Sequence, residues 1–198
     1  MAPRRRPAGL LLTPGAGSDA SHHTLVAIEE ALAPLAVRRV DFPYRKEGRR
    51  APDRAPKLIA SVRADAEEFG RSRRARTGRI VLGGRSMGGR MCSMAVAEGL
   101  PAAGLVLISY PLHPPGKPDR LRVEHLPLLE VPCLFVTGTR DPFGTPEELQ
   151  SATATIPGPV THVWIEGGRH DLKGADPQIA AAVRAWIDAL PDPPPTLS

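Results

Sequence analysis

An α/β fold with a mostly parallel six-strand sheet flanked by helices is what the sequence predicts. Six short runs read as β-strands, helical patterns fall between them, and most of the strand runs are continuously apolar. Strands covered on both faces of a parallel sheet have no polar side to show, so they appear as unbroken apolar segments. Strand–helix alternation then joins parallel neighbours by right-handed crossovers.

The predicted strands cover residues 9–13, 37–42, 79–83, 105–109, 133–137 and 162–165. Ser21 is the expected cap of the first helix, whose stripe Leu25, Ile28 and Leu32 runs until Pro34. Pro56 suits a first helical turn, followed by Leu58, Val62 and Phe69, with Gly70 as the stop. A helix from Ser86 onward puts Met87, Met91, Met94 and Ala95 on one face and closes at Gly99. Thr145-Pro146-Glu147-Glu148 opens another helix, and Pro177 opens the last, with Ile179, Val183, Trp186, Ile187 and Leu190 as its apolar positions.

With 198 residues, 41% of them hydrophobic and 24% charged, the chain reads as one globular domain over 1–190. The tail PDPPPTLS at 191–198 reads as disordered. Apolar runs such as GLVLI at 104–108 are too short to span a bilayer, and the apolar stretch in MAPRRRPAGLLL is too short for a secretory signal. Cys92 and Cys133 have no framework spacing and read as buried thiols, which with the missing signal suggests a cytoplasmic protein. The net charge of +5 and clusters such as RSRRARTGR at 71–79 raise nucleic-acid binding. Few aromatics are available for stacking on bases, and an Arg-rich solvated surface is the better reading. No nucleic-acid or membrane partner is therefore expected, and the chain should be a monomer or homodimer.

In an open parallel sheet, sites form at the carboxyl ends of strands. Gly84-Arg85-Ser86-Met87-Gly88 matches G-x-S-x-G between a strand and a helix, where a strained turn exposes the serine oxygen. The Met87 amide would point at a developing oxyanion. A Gly-rich turn that only lets helix and sheet pack closely is the plainer alternative. A serine hydroxyl needs a base. His170, in Glu166-Gly167-Gly168-Arg169-His170-Asp171, follows the last strand and can reach Ser86. His162 lies within a strand, His22 and His23 precede the serine, and His125 lies in a long polar connection. Asp141 follows the strand at 133–137 and is the expected acid that orients the imidazole; a helix cap or a partner for Arg140 is its plainer role. Asp171 is a rival, but a sequence neighbour of His170 usually points elsewhere.

The order Ser86, Asp141, His170 is that of the α/β-hydrolase superfamily. The chain resembles that superfamily over nearly its whole length, and more narrowly the small, capless, dienelactone-hydrolase-related group that includes testis-expressed and nonspecific-lethal-complex hydrolase-like proteins. The residues that carry the resemblance are LLTPGAG at 11–17, DFPYRKEGRRAPDR at 41–54, GGRSMGGR at 83–90, SYPLHPPGKP at 109–118, GTRDPFG at 138–144 and GGRHDL at 167–172. It implies the α/β-hydrolase fold with no large cap domain. It also implies a second oxyanion donor at the Ala16 amide. Where many relatives have His-Gly after the first strand, this chain has Pro14-Gly15, which leaves open how that loop is anchored.

The expected activity is hydrolysis of a small acyl compound, an ester, thioester or lactone, through an acyl-enzyme on Ser86, without cofactor or metal. The alternative is a hydrolase-fold module used as an interaction scaffold. Arg85, Arg140 and Arg169 each adjoin one of the three residues. Arg85 and Arg169 are candidate carboxylate binders, with structural ion pairing as the plainer role. His113, in the proline-stiffened 110–131 connection, is a candidate pocket residue or a plain surface histidine.

Overall fold

The computed structural model describes residues 6–114 and 116–190. The expected tail at 191–198 lies outside the described residues. The strands are β1 (Gly9–Thr13), β2 (Val37–Arg39), β3 (Ile80–Arg85), β4 (Gly104–Ile108), β5 (Cys133–Gly138) and β6 (Val160–Ile165). They form one six-stranded sheet in the order β2-β1-β3-β4-β5-β6. Every pairing in it is parallel. The helices are α1 (His23–Leu32), α2 (Pro43–Lys46), α3 (Ala55–Ser72), α4 (Met87–Ala97), α5 (Pro146–Thr153) and α6 (Asp176–Ala189).

Alternation along the strands divides the core in two. Leu11, Leu82, Leu105, Leu107 and Phe135 face α3, α4 and α5, where they meet Leu58, Val62, Phe69, Met91, Cys92 and Leu149. Their neighbours Leu10, Leu12, Val81, Val106, Ile108, Leu134 and Val136 face α1 and α6, against Leu25, Ile28, Ile179, Val183 and Ile187. Both sets are buried. The central strands are thus apolar on both sides, the physical cause of the unbroken runs in the sequence.

Element bounds differ from expectation where side chains or loops take over. His22, not Ser21, caps α1, its ring nitrogen accepting from the Thr24 amide. Strand β2 ends early because Asp41 turns back to accept from the Ala20 amide and Pro43 starts α2. Helix α3 passes through Gly70 to Ser72, and Arg74 takes the positive φ of 50° in the turn beyond. Thr145 caps α5 in a reciprocal pair with Glu148. Cys92 and Cys133 are buried free thiols, both pushed up to about 12 by burial.

Candidate active site

Strand β3 ends at Arg85 and α4 begins at Met87, so Ser86 alone makes the turn, with φ 51° and ψ −118°. Such a backbone is strained for a residue with a Cβ. Two bonds hold it: the Ser86 amide donates to Ile108 O at 2.8 Å, and the Arg90 amide donates to Ser86 O at 3.1 Å. The glycines around it have another purpose than supplying the positive φ. A Cβ on Gly84 would lie 2.3 Å from Thr13 O, and one on Gly88 would lie 2.5 Å from Pro14 O. They let α4 and β3 pack directly on the end of β1.

The loops after β5 and β6 bring the two partners to Ser86. The Arg140 amide donates to Gly168 O at 2.8 Å, which stitches the two loops together. His170 Nε2 lies 2.9 Å from Ser86 Oγ, and His170 Nδ1 lies 2.8 Å from Asp141 Oδ2 and 3.0 Å from Asp141 Oδ1. An ionised carboxylate only accepts, so Nδ1 carries the proton and Nε2 is left to accept from the serine hydroxyl. Asp141 is 4% exposed and also accepts from the Phe143 amide at 2.9 Å. The Phe143 ring covers the imidazole, centroid to centroid 4.1 Å. Asp171 is exposed and is engaged by the Lys173 amide.

A cleft of about 390 Å³ opens at Ser86. Ala16 and Met87 line it beside the serine. Ala55, Leu58, Met91, Pro111 and Phe143 give it an apolar lining, and Arg90, Arg122 and Asp53 are its charged residues. The Met87 amide, in the first turn of α4, has no intrahelical acceptor. The Ala16 amide has no hydrogen-bond partner among the described residues. The loop carrying Ala16, which follows Pro14-Gly15, is anchored by Tyr44 OH donating to Ala16 O at 2.9 Å and by the Ser18 amide donating to Gly15 O at 3.2 Å.

The three candidate substrate-binding residues do not line this cleft. Arg85 is half-buried and donates to His170 O at 2.8 Å, which ties the His170 loop to β3. Arg169 is exposed. His113 is 6% exposed, with Nδ1 donating to Pro114 O and its amide to Phe143 O, so it holds the segments beside the cleft. Arg140 is also exposed. The cleft arginines, Arg90 and Arg122, were not singled out in the sequence. Arg90 had a signal, since it stands four residues after Ser86 on a helix.

A second serine–histidine contact has a different geometry. Ser93 Oγ lies 2.8 Å from His125 Nε2, but it donates its own proton to Arg90 O at 2.9 Å. His125 must therefore donate through Nε2. Ser93 is fully buried, and burial, followed by the Arg90 charge, pushes the His125 pKa down to about 4. The pair fastens the 122–125 segment to α4. His162 is likewise structural, its Nε2 2.9 Å from Thr153 Oγ1 and its ring stacked on Phe135 and Trp164. His22 is pushed down by burial and then by Arg85. His23 meets Asp176 at 2.5 Å.

Among the described residues no cluster of His, Cys, Asp and Glu could hold a metal ion, and no helix is long and apolar enough to cross a membrane.

These features define a hydrolase-type α/β sheet. The model of the alpha/beta hydrolase domain matches residues 6–186, and the chain belongs to that family. Among solved structures, the chain is similar to a dienelactone hydrolase from Anabaena variabilis, at 19% identity, over 93% of this chain and 88% of that one, with a TM-score of 0.73. It is similar to Est1E from Butyrivibrio proteoclasticus, at 16% identity over 92% and 88%, with a TM-score of 0.72. A third is an alpha-beta serine hydrolase homologue from Coxiella burnetii, at 17% identity over 91% and 88%, with a TM-score of 0.72. At these identities the likeness concerns the fold.

Proposed function

We propose that the protein is a serine hydrolase of small acyl compounds, with Ser86 as nucleophile, His170 as base and Asp141 as the group that orients it. The observation that carries the reading is the continuous chain Ser86 Oγ, His170 Nε2, His170 Nδ1, Asp141 Oδ2, with contacts of 2.9 Å and 2.8 Å, at the mouth of a cleft.

Ser86 Oγ attacks the acyl carbon while its proton passes to His170 Nε2. Asp141 stabilises the imidazolium without taking its proton. Negative charge develops on the carbonyl oxygen, where the amides of Met87 and Ala16 are the available donors. The tetrahedral species collapses, the bond to the leaving group breaks, and His170 gives that group its proton. The Ser86 ester remains. Water, deprotonated by His170, then attacks that ester, and Ser86 leaves with the proton returned to it.

The test is hydrolysis of a neutral short-chain aryl ester by the unaltered protein and by Ser86→Ala. Turnover by the unaltered protein and loss in the variant, with an unchanged circular dichroism spectrum, are expected. Equal rates in both proteins, or no turnover in either, would overturn the reading. The last result would favour the scaffold alternative.

A further inference from the structure

Arg90 and Arg122 are two cations in the cleft that no carboxylate answers. Among the described residues neither enters an ion pair. Arg90 Nε is buried with no hydrogen-bond partner. The one carboxylate in the lining, Asp53, is met by Arg49 at 2.9 Å and Lys57 at 3.3 Å. The two arginines also feel each other: burial, and after it the Arg90 charge, lower the Arg122 pKa. Like charges held together in a half-buried place without a counter-charge cost free energy, which an anion between them would offset.

Both side chains spring from fixed backbone. Arg90 lies one turn along α4, its amide bonded to Ser86 O, so it stands on the same helix face as the serine. Arg122 is held by its own amide on Leu112 O at 2.8 Å and by Tyr110 OH on its carbonyl at 2.8 Å. The neighbouring His125–Ser93 contact ties that segment to α4. A pair of guanidiniums held this way presents planar donor forks suited to a carboxylate.

We propose that Arg90 and Arg122 form an anion subsite beside Ser86, and that the substrate is an ester or thioester whose acyl chain ends in a carboxylate. This rests on the serine-hydrolase reading for the chemical step, although not for the binding. One helical turn is roughly 5.4 Å, which a chain of about four bonds spans, so half-esters of glutarate or adipate have the right length.

The experiment compares monoethyl glutarate with ethyl valerate on the unaltered protein, followed in a pH-stat, and titrates glutarate into the protein by calorimetry. Preference for the half-ester by roughly ten- to a hundredfold in kcat/KM is expected, the range for charge-assisted contacts. That ratio should shrink in high salt and fall at least about fivefold in Arg90→Gln and in Arg122→Gln. A ratio near one or below in the unaltered protein overturns the proposal, whether or not the variants fold. If neither ester is hydrolysed, the catalytic reading has failed and the calorimetry decides alone. Glutarate binding that is lost in Arg90→Gln supports the subsite, and absence of binding to the unaltered protein sinks it.

Discussion

The Arg85 guanidinium donates to the backbone carbonyl of His170 at 2.8 Å. Arg85 directly precedes Ser86, so one side chain joins the strand that carries the proposed nucleophile to the loop that carries the proposed base. A charge-assisted bond of this kind contributes about 1.5–3 kcal/mol. Arg85→Gln should lower kcat on a neutral ester about tenfold with a smaller change in KM, because the imidazole loses its fixed distance from Ser86. Steady-state kinetics check this, and an unchanged kcat would contradict the positioning role.

Glycine at 84 and 88 is dictated by close approach, not by an unusual φ. Gly88→Ala would press a methyl group against Pro14 O and Thr13 Oγ1, both at 2.5 Å. Backbone cannot rotate away as a side chain can, so a loss of at least about 1–3 kcal/mol is expected. Urea unfolding at neutral pH measures it, and a midpoint equal to that of the unaltered protein would argue against the packing account.

Tyr44 anchors the loop after β1 by donating to Ala16 O. Tyr44→Phe leaves that carbonyl without its partner, at a cost of about 1 kcal/mol or more. If the Ala16 amide receives the oxyanion, kcat should fall several-fold while the binding of glutarate changes little. Calorimetry and kinetics on the same preparation separate the two effects.

Acid should loosen the wall that carries Arg122. The folded protein holds His125 down to about 4, against 6.5 for the free side chain. The unfolded chain therefore takes up the proton first, and stability falls as pH drops from about 6.5 towards 4. At most this is about 3 kcal/mol. Burial lowers His22 and His162 too, so they add to the same trend. Denaturation at pH 7 and pH 4.5 should show the loss, and His125→Gln should show less of it. An identical pH dependence in the variant would place the cause elsewhere.

Much of this architecture is visible in the sequence, for a definable reason. Leu10, Leu11 and Leu12 are all buried, so an unbroken apolar run reports a strand covered on both sides. Ser86 and Asp141 each follow such a run and His170 follows the more polar β6, and the rule that sites gather at carboxyl ends selects all three as candidates without knowledge of their contacts. The arginines were not readable in that way. Arg85, Arg140 and Arg169 are adjacent to those three in sequence, but adjacent residues on a turn point apart. Arg85 reaches a carbonyl and the other two reach solvent. Arg122 enters the cleft only because Tyr110, Leu112 and the His125–Ser93 contact fix its segment, and those are tertiary contacts with no local signature. The glycines around Ser86 are legible as a motif, while their actual constraint, the nearness of Thr13 and Pro14, requires the packed sheet.

Labelling with a fluorophosphonate probe decides whether Ser86 is an activated nucleophile, because no substrate need be known. The unaltered protein should gain one probe mass, mapped by peptide mass spectrometry to Ser86. Labelling should be lost in Ser86→Ala and slowed at least about a hundredfold in His170→Ala, since the serine then has no base. Ser93, whose hydroxyl is buried and committed to Arg90 O, should remain unmodified. An unlabelled native protein, or full labelling that persists in Ser86→Ala, would show that Ser86 is not the nucleophile.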